Sequence, residues 1–483
     1  MRTVSRLFWD SQLFWSTMHR EIRNIFWCFV VLVLMPFVVS AQSSSINAYS
    51  PYSMYGMGEL LTPGSAQMRS MGGVGIASRN YGQINPLNPA AASIAPQKSF
   101  LFDVSFDGTH YRNSQTKYNA EGVALPKPAM AVYNGANIHS ISLTFPLAKR
   151  MGFSFAISPY SSVGYNIKTT DYNDDVWADI GQVRYGHNGE GDISEVKLSY
   201  GWAPWQKFSI GVAARYYWGG VTRNYQTVVT DVITGSGVYA SSKGTERYVV
   251  NNIKFQLGMQ WSPINTETKS FTIGATYDFG GELNPKRESY IYTDNTINSI
   301  KPSPVRDQIE GMELRVPHQL GVGIFYRNRK MAWGADYNYA AWGGSNAAKQ
   351  ENTTLSTIDV RYADTHTVKV GFEITPRSND VRNYLNRISY RVGARVGNYY
   401  QTFGGQRINN FALTAGFGLP LKIWGVSTVN VGFEYGRISA KKAVVVNDHK
   451  VGLIKQNTFK FTLGFSLFSA DTADYWFVKQ KYD

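Results

Sequence analysis

The chain of 483 residues has one cysteine, Cys28, and it lies inside an apolar N-terminal stretch. The rest of the chain therefore offers no disulfide framework and no thiolate metal site. Charged residues make up only 17% of the sequence. After Gln42 no apolar run approaches the ~18 residues that a membrane-crossing helix requires, which excludes a helical membrane protein. Of the seven histidines, His110, His139, His187, His318, His366 and His449 lie outside the N-terminal stretch, and none has H-x-H or H-E-x-x-H spacing. A zinc site is unsupported. No G-x-S-x-G occurs. Ser194/Lys197 and Ser439/Lys442 have S-x-x-K spacing but lack the partner motifs of a serine acyl-enzyme. Gly73-Val74-Gly75 lacks the third glycine of a dinucleotide fingerprint and has no strand–helix context. Asp171, Asn173 and Asp175 are spaced like the opening of a calcium loop. Val176 and Gln182, however, stand where such a loop needs Gly and Glu, so the segment reads as a solvated loop. No catalytic constellation and no cofactor is expected.

What the chain does have is 45 glycines, 14% aromatic residues and a net charge of +14. A basic balance can signal nucleic-acid binding. Here it accompanies an export signal and no nucleic-acid-binding motif. Arg20 and Arg23 precede the apolar run Ile25 to Val39, and Val39-Ser40-Ala41 is followed by Gln42. That order is a basic region, an apolar region and a small-residue cleavage site, which predicts cleavage after Ala41 and a bacterial exported protein. Cys28 is too early to be a lipoprotein acylation site. Met18 is the better start, since residues 1–17 add nothing that an export signal needs.

Beyond the export segment, apolar residues recur at every second position, the period of a strand with two unlike faces. Phe459, Phe461, Leu463, Phe465 and Leu467 alternate with Lys460, Thr462, Gly464 and Ser466. Ile253, Phe255, Leu257, Met259 and Trp261 alternate with Lys254, Gln256, Gly258 and Gln260. Fourteen such segments centre near residues 103, 142, 155, 198, 212, 257, 275, 322, 335, 370, 391, 413, 432 and 463. The links between them alternate long and short. Those between strands 2–3, 4–5, 6–7, 8–9, 10–11 and 12–13 read as short, 11–12 as intermediate and the others as long, Thr222–Val249 among them. An even strand number, short periplasmic turns and long outer loops define an outer-membrane β-barrel. Pro146, Pro204, Pro263, Pro376 and Pro420 are expected in short turns, where proline costs no ladder bond.

Residues 42–97 alternate poorly. They hold Ser50-Pro51-Tyr52-Ser53, then Arg69-Ser70-Met71-Gly72-Gly73-Val74-Gly75-Ile76-Ala77, then Asn88-Pro89-Ala90. Irregular backbone at membrane depth is tolerated only where protein or water surrounds it, so this stretch belongs in the barrel lumen. The R-x-M-G-G-x-G-I-A run followed by N-P-A resembles the N-terminal hatch of the FadL/TodX family of outer-membrane transporters. The Pro-Tyr-Ser opening and the Trp-Phe-Val-Lys ending resemble that family's Bacteroidetes version. Further echoes are Leu314-Arg315-Val316-Pro317, Asp364 ahead of Val368–Phe372, and Phe417-Gly418-Leu419-Pro420. The resemblance implies an all-β fold, a 14-stranded antiparallel transmembrane barrel with a lumenal hatch. It divides the chain into a signal peptide (1–41), hatch (42–97), barrel (98–468) and periplasmic tail (469–483). Arg69, Gly72, Gly73, Gly75, Asn88, Pro89 and Ala90 become the hatch motif. The family implies uptake of long-chain fatty acids or other hydrophobic small molecules, with lateral exit. It also implies non-transport members that act as accessory subunits of outer-membrane protein secretion or assembly complexes.

Strand parity turns Lys197, Arg215, Lys254, Lys369, Arg391, Arg395 and Lys460 inward, with Glu195, Asp336, Glu373 and Glu434 on the same face. Lys197, Arg215, Lys254, Arg391 and Arg395 are the candidates for clasping a fatty-acid carboxylate. The alternative is that these charges pair with one another and with the hatch. Lys149-Arg150, Lys207, Lys269, Arg327, Arg329-Lys330, Arg377, Arg382 and Lys422 make the short turns basic, opposed only by Glu267 and Asp380. These turns suit lipid headgroups of the outer membrane or a periplasmic or outer-membrane protein partner.

Overall fold

The computed structural model describes residues 48–96, 99–119, 121–170, 181–230, 241–294, 314–343, 359–421, 427–446 and 449–469. The export segment with its cleavage site, the Asp171–Asp175 loop, Lys422 and the C-terminal tail beyond Ser469 lie outside the described residues. Among the described residues no helix is long and apolar enough to cross a membrane.

The wall is built of β1 (Phe100–Gln115), β2 (Ala129–Ala148), β3 (Met151–Thr170), β4 (Gln182–Trp205), β5 (Phe208–Thr230), β6 (Ser241–Asn265) and β7 (Lys269–Asp278), followed by β8 (Gln319–Asn328), β9 (Met331–Ala340), β10 (Thr365–Ile374), β11 (Ser389–Phe403), β12 (Gln406–Leu421), β13 (Ser427–Ala440) and β14 (Lys455–Ser469). The main sheet has seventeen segments; setting aside the short extras Glu59–Leu60, Lys286–Asp294 and Val360–Tyr362 leaves the fourteen wall strands. Every neighbouring pair is antiparallel, and β1 closes on β14 from Phe100↔Ser469 to Ser114↔Lys455. Closure removes the sheet edges that lipid could not satisfy.

The alternation read from the sequence is the inside–outside division of this wall. On β6, Ile253, Phe255, Leu257, Met259 and Trp261 are exposed, while Gln256 and Gln260 between them are buried. On β4, Leu198, Tyr200 and Trp202 face out, and Lys197 and Ser199 are buried. A water-soluble protein rarely exposes so large an apolar band, whereas a bilayer is its natural solvent. β7 to β10 have 10 residues each. That is about the number a tilted strand needs to cross the hydrocarbon core. β4, β5 and β6 run to 24, 23 and 25 residues and extend past that band.

Three expectations need correction. The segment Thr222–Val249 is not simply a loop, because Thr222–Thr230 and Ser241–Val249 are paired strand, with Thr222↔Arg247 in register. Beyond the bilayer neither face need be apolar, so the alternation cue fades while the ladder continues. The 10–11 link spans residues 375–388 and carries a short 3-10 helix, Tyr384–Arg387, so it is not a tight turn. The 11–12 link is only Gly404-Gly405, both with positive φ (52° and 73°), the backbone that a two-residue hairpin requires. Third, Pro146, Pro204, Pro263 and Pro420 lie inside strand ends rather than in turns. Register shifts fall at Pro146/Ala148, Trp202/Trp205 and Trp261/Ile264, around the first three. A residue that cannot donate is accommodated there by a local break in the ladder.

One seam is incomplete. The β2–β3 ladder runs from Ala148↔Met151 to Ile141↔Ile157 and stops there. Above it, β3 turns to the N-terminal segment: Glu59 and Leu60 pair with Ser162 and Ser161, Leu61 N donates to Tyr160 O at 3.0 Å, and Ser50 N donates to Gly164 O at 2.8 Å. Among the described residues no strand pairs with Ala129–Ala136 of β2 on that side.

Candidate functional site: the barrel interior

Residues 48–96 lie against the inward face of the wall in two layers. Toward the long loops, Tyr52 and Met57 join an apolar cluster with Val163, Tyr165, Ile193, Tyr217, Val221, Tyr248, Val250, Trp342, Tyr400 and Phe403. Tyr400 Oη and Gln401 Nε2 donate to the carbonyls of Gly58 (2.5 Å) and Tyr55 (2.8 Å). The polar-lumen rule fails for much of this half, since Val163 and Tyr165 of β3, Ile193 of β4 and Tyr217 and Val221 of β5 point inward here.

Toward the short turns the seat is made of missing side chains. Each strand from β3 to β14 presents an inward glycine to the segment: Gly152, Gly201, Gly211, Gly258, Gly274, Gly323, Gly334, Gly371, Gly393, Gly416, Gly432 and Gly464. Several are direct ladder partners, as in Gly152↔Gly201, Gly201↔Gly211, Gly211↔Gly258, Gly274↔Gly323 and Gly371↔Gly393. A Cβ on Gly152 would stand 1.9 Å from Ala92 O, on Gly211 2.4 Å from Pro89 C, on Gly274 2.5 Å from Ile76 O and on Gly393 2.3 Å from Gly72 N. Real Cβ atoms do not approach that closely. The segment meets this belt in order, from Ala66 at β14, through Ser70, Met71, Val74 and Ile76, to Pro89 at β5 and Ala92 at β3. It thus winds once around the interior, backbone against backbone at Gly152, Gly201, Gly211, Gly274, Gly371 and Gly393.

The expected motif residues have identifiable work. Arg69 ends a helical turn, Ala66–Arg69, that Ser65 caps, and its Nη1 meets Asp107 Oδ2 at 2.6 Å. Gly72 and Gly73 adopt φ of 72° and 82°, where side chains are strained, and Gly72 N donates to Thr414 Oγ1 at 2.8 Å. Gly75 lets Leu87 and Met68 close over it, and its N–H and that of Ile76 donate to Asp336 Oδ2 (2.7 and 3.0 Å). Asn88 caps the 3-10 helix Pro89–Ile94 through Ala90 N (3.0 Å), with Pro89 at the position where a missing N–H costs nothing. Its fully buried amide also donates to the carbonyls of Ile76 (2.8 Å) and Met259 (3.2 Å). Asn88→Leu would leave Ala90 N without its cap and take a donor from both carbonyls, Ile76 O keeping only Gln260 Nε2 (3.0 Å), and is expected to cost about 3 kcal/mol. Asn88→Asp should cost more, since it turns a carboxylate on the same carbonyls. Urea unfolding in lipid vesicles reads both; a midpoint unchanged in Asn88→Leu would remove Asn88 from this role.

The inward bases face partners. Arg215 donates to Glu195 through Nε (3.0 Å) and Nη2 (2.6 Å), and to Asp278 at 2.6 Å. Arg391 donates to Glu373 (2.7 Å) and Asn430 (2.7 Å), and Arg395 donates to Glu434 at 2.5 Å. Lys197 Nζ donates to Pro86 O at 2.5 Å, and Lys254 reaches Gly281 with its charge facing Glu282. The mutual-pairing alternative thus describes Arg215, Arg391 and Arg395. Asp107, Asp103 and Asp278 were absent from the expected acids. The alternation of Asp103, Ser105 and Asp107 with Val104 and Phe106 would have placed two of them inside. An interior cavity of about 260 Å³ remains between Leu61, Pro63, Lys197, Arg215, Lys369 and Arg395. Small-molecule sites usually enclose ~300–1,000 Å³. Among the described residues no group of acidic, His or Cys side chains could hold a metal.

A closed fourteen-stranded barrel with lipid-facing strands and an inward-packed N-terminal segment defines an outer-membrane β-barrel of the FadL type. The fold is shared with a Pseudomonas aeruginosa FadL homologue (TM-score 0.53, 14% identity, covering 86% of this chain and 99% of that one). It is shared too with the Ralstonia pickettii toluene transporter TbuX (0.50, 14%, 84% and 98%) and the CymD monoaromatic hydrocarbon channel (0.52, 13%, 83% and 97%). At such identities the likeness is one of fold alone. The chain belongs to the BamG family, whose model matches residues 21–483. The FadL/TodX resemblance therefore holds for architecture, and the family is BamG. No curated protein matches the sequence.

Proposed function

We propose that the protein is a plugged, non-catalytic outer-membrane barrel serving as an accessory subunit of a protein secretion or assembly complex. Residues 42–97 act as its hatch, and the export segment is removed after Ala41. The glycine belt carries this reading. Twelve wall strands omit a side chain so that the protein's own N-terminal segment can fill the space a ligand would use. The arginines that could attract an anion are already neutralised by Glu195, Asp278, Glu373 and Glu434. Membership of the BamG family is a further hint of protein partners.

A second reading, uptake of a fatty acid or another hydrophobic compound, is favoured by the open β2–β3 seam and by neighbours named as transporters and channels. In that reading Lys197, Arg215, Lys254, Arg391 and Arg395 exchange their present partners for the ligand's carboxylate. Native mass spectrometry of the protein drawn from its own membrane in mild detergent separates the two. Stoichiometric protein partners around a ligand-free barrel are expected. A monomer carrying an apolar ligand would replace the first reading with the second.

A further inference from the structure

Residues 375–388, which join β10 to β11, are unlike the other described short-end links. The β2–β3, β4–β5 and β8–β9 links have two residues each, 149–150, 206–207 and 329–330. The longer link is nonetheless rigidly built. Asp380 Oδ1 accepts from the backbone N–H of Arg382 (2.9 Å) and Asn383 (3.0 Å), and Asp380 Oδ2 accepts from Asn386 Nδ2 (2.6 Å). The Asn386 hydrogen bond, with the two backbone donors, holds the Asp380 carboxyl below the usual carboxylate range. Asn383 caps the 3-10 helix through Leu385 N (3.0 Å), Arg377 N donates to Asn386 O (2.8 Å), and Tyr390 Oη donates to Leu385 O (3.1 Å). Thr375 N donates to Lys330 O (2.7 Å), tying the link to the Arg329-Lys330 turn.

This framework presents apolar side chains to the outside. Val381 is 86% exposed and Leu385 61%, the former the most exposed large hydrophobic among the described residues. Arg377 and Arg382 flank them, both exposed, and the Arg387 guanidinium lies over the Tyr384 ring at 5.6 Å. The one acid in the link, Asp380, is used up by internal hydrogen bonds, so the surface shown to a partner is basic with two apolar protrusions. A lipid headgroup needs no ordered receptor, because any mobile basic segment suffices. Ordering a loop in advance reduces the cost of binding a surface of fixed shape.

We infer that the 375–388 link is a docking knob for an acidic surface of a periplasmic protein, with Val381 and Leu385 seated in its apolar sockets and Arg377 and Arg382 on its carboxylates. This rests on the accessory-subunit reading and adds the place of contact. The test is the full-length protein purified from native membrane with its partners. Val381→Asp/Leu385→Asp and Arg377→Glu/Arg382→Glu should each reduce the co-purified partner at least tenfold, as expected where central anchors dominate an interface. The wild-type complex should weaken as salt rises. Val445→Asp, an exposed valine between β13 and β14, serves as control and should leave the complex intact. A photo-crosslinker at residue 381 should give a protein adduct that Arg377→Glu/Arg382→Glu abolishes. A complex that survives both double variants overturns the knob and leaves the accessory reading standing. A wild-type protein without partners overturns the reading itself, and crosslinks to phospholipid alone overturn the knob in favour of headgroup contact.

Discussion

Replacing Gly211 and Gly393 together by valine is expected to unseat the N-terminal segment while leaving the barrel closed. The atoms that a Cβ would strike are backbone, Pro89 C at 2.4 Å and Gly72 N at 2.3 Å. They cannot swing aside as a lysine end would. Overpacking of this kind costs about 3 kcal/mol per site, and two distant sites roughly add. The wall should tolerate the change, because valine favours strands and the ladders around both positions are regular. Two readouts follow. Protease should cut within 48–96 in the variant and not in the wild type, and planar bilayers should show an ion current only in the variant. Gly108→Val is the control, since nothing stands within 4 Å of its Cβ position. A double variant as silent and as protease-resistant as the wild type would mean that the belt does not hold the segment.

The belt also shows where sequence reasoning stops. That Gly152, Gly211 and Gly258 point inward follows from alternation, because phenylalanine, isoleucine and leucine occupy the lipid-facing positions beside them. Strand parity carries no information on what those glycines admit. A glycine inside a barrel can equally widen a channel, and only the 48–96 segment lying on it decides otherwise. Charges behave the same way. Parity places Glu373 and Arg391 on one face, but register makes them cross-strand partners, and Arg395 reaches past its own ladder partner Lys369 to Glu434. Register depends on turn chemistry and on bulges such as that between Ser105 and Phe106, where His139 is left extra and its Nδ1 comes within 3.1 Å of Asp107. The apolar cluster of the long-loop half was hidden for a third reason. Val221 and Tyr248 are inward-facing and apolar, so a rule that assigns apolar residues to lipid cannot find them, whereas strand parity already places Tyr217 with Arg215 on the inward face.

The buried charge between the N-terminal segment and the wall should give the largest response to a single substitution. Asp107 accepts from Arg69 (2.6 Å) and Thr462 (2.8 Å), lies 3.1 Å from His139 and is 4.0 Å from Lys460. Asp107→Leu strands the Arg69 guanidinium, only 4% exposed, with Ser105 Oγ (3.4 Å) but no second ion-pair partner among the described residues. Removing one partner of a buried pair costs about 3–5 kcal/mol. Arg69→Met should cost less, since His139 and Lys460 still face Asp107. The double variant Arg69→Met/Asp107→Leu should recover most of the loss, because an apolar pair of similar volume replaces the salt bridge without an orphaned charge. Unfolding in lipid vesicles gives the three values, and a double variant whose loss equals the sum of the singles would disprove the coupling. Recovery of stability is not recovery of fit, however. The directional, charge-assisted contact fixes where the segment stops along its circuit of the wall, whereas methionine against leucine only fills space. Protease cutting within 48–96 should therefore remain above wild type in the double variant even when its unfolding midpoint has returned.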